Sequence, residues 1–268
     1  MVRAVADRAF LPTKNLLEQV GDMMILTGKT VLSTLRPPYP YGGEFVQQFL
    51  FMLRLCWLPL LITTICFGYG APGLQAGNFL VLFGAIDRLG GFFVLTSIRE
   101  FGPIASAIIL AGVGGTAITA DLGARKIREE LDALQVLGVD PVKNLVVPRF
   151  LALMVVTGLF NIYALLFGIF GGVLATLTFN APLGPFFATL LTNASTTDLW
   201  GSVVKTTLFG AIIAIVCCYK GMTASGGAEG VGRAVHQAVV ISFLGIFAFN
   251  YVFTQTLLAT HPEISVIK

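Results

Sequence analysis

The chain has 268 residues, a formal net charge of +3, 12% charged and 56% hydrophobic side chains, and a mean hydropathy of +0.85. So much apolar surface exceeds what a single water-soluble core hides, so the bilayer is the solvent and the fold class is an all-α polytopic membrane protein. Twelve of the seventeen Lys and Arg fall in residues 1–46, 121–149 and 220–233, which is a loop bias rather than a basic face, and no nucleic-acid partner is expected.

In chain order, residues 1–46 form an N-terminal segment. Its first 44 residues carry nine charges and lack a short apolar run ending in a small-residue cleavage site, so the N-terminus is expected to remain and to face the cytoplasm. Residues 16–35 place apolar side chains at helical spacing around Glu18, Asp22 and Lys29, the pattern of an interfacial amphipathic helix. The "TGKT" at 27–30 resembles the end of a phosphate-binding loop. The pattern needs Gly at position 23, which is Met23, and no strand precedes it, so the chain is not expected to bind ATP.

A crossing needs about 20 apolar residues. Five spans are predicted within the unit 47–260, at about 47–70, 98–120, 147–178, 199–220 and 234–259. The fourth must carry Lys205 in or near the membrane, because only fourteen uncharged residues separate it from Lys220. Residues 74–98 are two apolar pieces divided by Asp87 and Arg88. An even number of crossings between the two basic segments is required, which makes 74–98 a re-entrant or interfacial element feeding the second span. The C-terminal tail, 261–268, is then extracytoplasmic.

Chemistry-bearing motifs are sparse. Cys56, Cys66, Cys217 and Cys218 lack metal spacing and read as small apolar side chains, and His236 and His261 are isolated, so no metal, cofactor or catalytic residue is predicted. "AGVGG" at 111–115 and "GIFGG" at 168–172 suit close helix packing, and "ASGGAEGVGR" at 224–233 reads as a turn between spans. Charges at membrane depth are costly and commonly face a cavity. Arg99, Glu100 and Lys205 are therefore expected to line an outward pocket for an amphiphile's polar head, with Phe-rich walls for its tails. Asp198 is as well explained by an ion pair or cap as by a cavity role.

Residues 121–141 concentrate seven charges between Asp121 and Asp132. On one predicted helix, Ile127, Leu131 and Leu134 form a narrow apolar stripe, and Arg125, Arg128, Glu129, Asp132 and Gln135 occupy the other faces, with Gly138 and Pro141 as the stop. Such a helix suits either a solvated connector or docking in a partner's groove.

The segment Arg99 to Ala152, with its Glu-Phe-Gly-Pro, Ala-Asp-Leu-Gly, Glu-Glu-Leu-Asp-Ala-Leu, Gly-Val-Asp-Pro and Val-Pro-Arg motifs in order, resembles the signature region of the MlaE/YrbE family, permease subunits of bacterial ABC lipid transporters that work with MCE proteins. The resemblance extends more loosely over 45–260. It implies five spans, an N-terminal interfacial helix, and a coupling helix at 121–141 that sits in a cytoplasmic ATPase and involves Arg125, Arg128, Glu129, Glu130, Leu131, Asp132 and Leu134. It implies that Arg99 and Glu100 line the lipid cavity, with Asp198 and Lys205 in the similar "DLWGSVVK" segment, and it leaves the role of Arg233 open. Val113 and Asp121 stand where many members have Arg and Glu. The chain resembles the A-type YrbE subunits of actinobacterial MCE systems, which implies a heterodimer with a second YrbE-type permease.

The function these readings imply is a lipid importer of the bacterial inner membrane, powered by two ABC ATPase subunits and supplied by MCE proteins, with no chemistry in this chain. A membrane scaffold that binds no lipid and an ion-coupled secondary transporter are the rivals.

Overall fold

The computed structural model describes residues 2–39 and 41–262, so the tail 261–268 lies outside the described residues from position 263 onward. A backbone surrounded by hydrocarbon must satisfy its own polar groups, and helices do so within a single segment. Among the described residues, five helical runs are long and apolar enough to cross a bilayer: α2 (Gly42–Leu82), α3 (Ile86–Ile127), α5 (Val142–Thr178), α7 (Thr196–Met222) and α8 (Gly227–Thr260). Three further helices complete the described chain: α1 (Val2–Leu35), α4 (Glu130–Val136) and α6 (Leu183–Asn193).

Residues 74–98 differ from expectation. They form no separate element: the first part continues α2, the second begins α3, and Asp87 and Arg88 sit at the hairpin tip, where charge is cheap. The 41 residues of α2 extend roughly 60 Å at 1.5 Å per residue, about twice the hydrocarbon thickness. The helix passes Pro72 by widening into a π-helical stretch at Tyr69–Gln75, whereas Pro59 sits within its regular α-helical part. In α3, π-helical stretches at Val94–Phe101 and Leu110–Gly115 flank the turn that begins at Gly102 and Pro103.

The spans meet through small residues. A Cβ on Gly68 of α2 would stand 2.4 Å from the carbonyl oxygen of Gly168 in α5, and one on Gly171 would stand 2.6 Å from the carbonyl oxygen of Ile65. Gly172 lies against the ring of Phe93, and Gly114 and Gly115 of α3 accept the sulfurs of Met52 and Cys217. The "GIFGG" and "AGVGG" motifs are thus helix-packing surfaces, and Cys56, Cys217 and Cys218 are buried packing groups. A second apolar cluster, built on Leu89, Phe93, Phe186 and Leu190, fastens α6 to the tip of the α2–α3 hairpin. We call this the α6 end of the bundle and the opposite one the α4 end.

The single helix expected over 121–141 is divided. The α3 run continues to Ile127, the chain turns at Arg128 and Glu129, and α4 is a separate helix of 7 residues. Glu129 adopts a left-handed conformation with φ 61°, an arrangement that costs a non-glycine residue roughly 1–2 kcal/mol. The turn lets Leu131 enter the core, and Lys126 reaches across it to Asp132 at 3.0 Å. Gly138, at φ 76°, ends α4 as its composition predicts.

Candidate functional site: a charged cluster beside an apolar groove

The α6 end brings Arg99, Glu100, Asp198 and Lys205 together from α3 and α7. Asp198 first serves its own helix. With Ser195 it forms a capping box at the start of α7, in which Ser195 Oγ accepts from the Asp198 amide at 3.0 Å and Asp198 Oδ2 accepts from the Ser195 amide at 3.2 Å. The same carboxylate receives Arg99 Nε at 2.7 Å on its other oxygen, and its side chain is fully buried. The ion pair therefore ties α3 to the N-terminus of α7.

Lys205 stands two turns further along α7 and is also buried. Its ammonium donates to the backbone carbonyl of Arg99, to Thr254 Oγ1 of α8 at 3.2 Å, and to Glu100 Oε1 at 3.5 Å. The first of these bonds has a cause in the sequence. Pro103, four residues after Arg99, has no N–H to donate back to that carbonyl. Glu100 completes the cluster by accepting from Asn250 Nδ2 at 2.7 Å and Thr254 Oγ1 at 2.9 Å, which adds α8 to the network.

Glu100 also borders a groove of about 1030 Å³ between the upper halves of α2 and α3. Its walls are apolar, with Phe67, Phe79, Phe92, Phe101, Ile104 and Ile108 among them, and Phe67 and Phe101 stack at 3.7 Å between ring centroids. Glu100 is the only ionisable residue among the described residues lining it. Arg99, Asp198 and Lys205 lie behind Glu100, where they bond to one another and to α8 rather than to the groove.

The model of the family described as Permease MlaE matches residues 45–256. The chain belongs to the MlaE permease family. A probable ABC transporter permease protein of Rickettsia typhi is 31% identical over 260 residues, covering 96% of this chain and 99% of that protein. A probable ABC transporter permease protein of Synechocystis is 36% identical over 183 residues, 66% of this chain and 68% of its own. The intermembrane phospholipid transport system permease protein MlaE of Haemophilus influenzae is 28% identical over 184 residues, 68% of this chain and 70% of its own. An MlaE permease is the membrane subunit of an ABC transporter, with ATP hydrolysis in a separate subunit, so this chain is not an enzyme.

At the α4 end of this MlaE permease, the charges of 121–141 are mostly paired locally: Arg125 with Asp121 at 3.2 Å and Arg128 with Glu130 at 2.7 Å. Leu131 is buried and Leu134 half-buried, so much of the expected apolar stripe faces the protein's own core. The exposed apolar tip is instead Val136 and Leu137, which are 88% and 77% exposed. Sequence reading did not single out these two. It also missed Arg149 of α5, which is buried and bonds Asp121 at 2.7 Å and Glu44 of α2 at 3.5 Å. A buried cation paired with a carboxylate from another helix is the recurring device of both ends.

Proposed function

We propose that this chain is the transmembrane permease subunit of an ATP-driven lipid importer. The observation that carries the reading is the groove beside Glu100: a space of about 1030 Å³, walled by aromatic and aliphatic side chains and carrying one carboxylate at its polar edge. Apolar walls with a few oriented polar groups suit an acyl chain or sterol body with a polar head. The name of the Haemophilus influenzae relative, a phospholipid transport permease, supports a lipid cargo. The class comprises phospholipids, fatty acids and sterols.

In this reading the N-terminus and the α4 end are cytoplasmic and the α6 end faces outward, where MCE proteins deliver the lipid. A second YrbE-type permease pairs with this chain in a heterodimer and closes the cavity. Two ATPase subunits receive the α4 tips, with Val136 and Leu137 as anchors and Arg125, Arg128, Glu129, Glu130 and Asp132 around them. ATP binding then shifts the permease only to the extent that the ATPases hold one shape of it more tightly than the other. Glu100 meets the lipid head, while Arg99, Asp198 and Lys205 hold Glu100 and the three helices in place.

The test is affinity purification of the chain from its native membrane, followed by mass spectrometry of every protein and lipid that accompanies it. Recovery of a second permease, an ATPase and MCE proteins with one enriched lipid class is the expected result. Recovery of the chain alone would sink the assignment. The locked state of Arg99, Asp198 and Lys205 also suits a scaffold that carries no lipid, and in that case the partners would copurify with no enriched lipid.

A further inference from the structure

The glycine-rich turn between α7 and α8, read from sequence as an ordinary connection, closes over a polar cavity of about 310 Å³ at the α4 end. Lys220, Arg233, Tyr219, Gln237, Gln19 and Ser225 line it, and no carboxylate does among the described residues. Lys220 is only 6% exposed, and the partners of its ammonium are two neutral amides: Gln19 Oε1 of α1 at 2.8 Å and Gln237 Oε1 of α8 at 3.0 Å. The other buried cations described above, Arg99, Arg149 and Lys205, each meet a carboxylate. A buried ammonium with neutral acceptors alone carries an uncompensated charge, which favours an anion as a further partner.

A second cation lines the same space, and an uncapped helix end lies beside it. Arg233 leans over the turn, with its Nη2 3.1 Å from where a Cβ on Gly226 would stand, so a side chain at that position would crowd the guanidinium. The N-terminus of α8, a helix of 34 residues, begins at Gly227 without a side-chain cap, leaving its first amides available to an acceptor. Two carboxylates lie nearby but outside the lining: Glu229 pairs with Arg233 at 2.9 Å, and Asp22 accepts from Tyr219 Oη at 3.1 Å.

We propose that this cavity binds a phosphate group, held by Lys220 and Arg233. A basic pocket between spans at the level of the lipid heads is a recurrent receptor for anionic lipid, and a free phosphate offers the same chemistry. The site is separate from the groove beside Glu100 and does not depend on what that groove carries.

The test is native mass spectrometry of the full-length chain, purified with its associated subunits, titrated with dioleoyl phosphatidylglycerol or with dioleoylglycerol, which lacks the phosphate. The expected result is a tightly retained phosphatidylglycerol and no comparable adduct of dioleoylglycerol. Lys220→Gln and Arg233→Gln should each weaken retention about tenfold, the order of one charge-assisted contact. Glu229→Gln should strengthen it, because Arg233 loses its competing carboxylate, and a gain of binding does not arise from misfolding. Thermal protection by millimolar inorganic phosphate without phosphatidylglycerol retention, lost in Arg233→Gln, would assign the site to soluble phosphate. Equal retention of both lipids without phosphate protection, or binding indifferent to all three substitutions, would overturn the proposal.

Discussion

Lys205 of α7 donates its ammonium to the backbone carbonyl of Arg99 in α3, the acceptor that Pro103 cannot serve. A side chain from one span thus takes the place of a missing helical donor in another, at the position where α3 passes through a π-helical turn.

That substitution of donors gives a double-mutant test. Lys205→Met should cost about 3–5 kcal/mol, because Glu100 and the Arg99 carbonyl lose a buried partner. Pro103→Ala restores an N–H, so adding it to Lys205→Met should recover part of the loss, with a coupling of roughly 0.5–3 kcal/mol. Equilibrium unfolding in detergent micelles measures both, and strictly additive effects would show that the proline does not matter.

Asp198 serves a cap and an ion pair, and the two can be separated. Ser195→Ala removes the hydroxyl of the capping box and should cost about 0.5–2 kcal/mol. Asp198→Asn also strips Arg99 of its counter-charge and should cost more, roughly 3–5 kcal/mol, in the same unfolding assay.

The contact of α2 with α5 admits no side chain at Gly68. Gly68→Ala should destabilise by about 1–3 kcal/mol, since its Cβ would press on the Gly168 carbonyl. Gly70→Ala, two residues on, meets nothing within 4 Å and should be neutral or stabilising. A comparable loss from both would mean that helix propensity, not the crossing, decides.

Filling the groove separates transport from scaffolding. Ile104→Trp should displace copurified lipid and reduce transport at least tenfold, while the ATPase and second permease remain bound. Full lipid uptake by this variant would argue that the groove is not the path.

The exposed tip gives the corresponding test of the α4 end. Leu137→Asp should leave folding within about 0.5 kcal/mol of the parent, as expected of a surface position. It should weaken ATPase association roughly 30-fold, the equivalent of one apolar anchor worth about 2 kcal/mol. Leu131→Asp, by contrast, should fail at folding, because Leu131 is in the core.

Much of this architecture is legible in the chain, because hydrocarbon imposes a length and a composition on each crossing. Five spans, the packing role of Gly168 and Gly172, and the stop at Gly138 follow from residue type alone. The break at Arg128 and Glu129 does not, because neither residue is a helix breaker and the turn is fixed by Leu131 reaching the core. Asp87 and Arg88 misled for a different reason: charges that interrupt an apolar run look alike whether they mark a hairpin tip or a buried element. Nor does any local pattern reveal that Asn250 and Thr254 bond Glu100, some 150 residues earlier. The α6 helix went unread because its 11 residues are too few to cross, and only its contact with Leu89 and Phe93 gives it a place.

Arg149 pins the bundle at one end. It joins Asp121 of α3 and Glu44 of α2 to α5 at a single buried guanidinium, so those three helices cannot slide past one another at the α4 end without stranding its charge. The far half of the same α2 walls the groove, so the residue that pins one end of this 41-residue helix and the rings that line the groove at the other belong to one continuous rod.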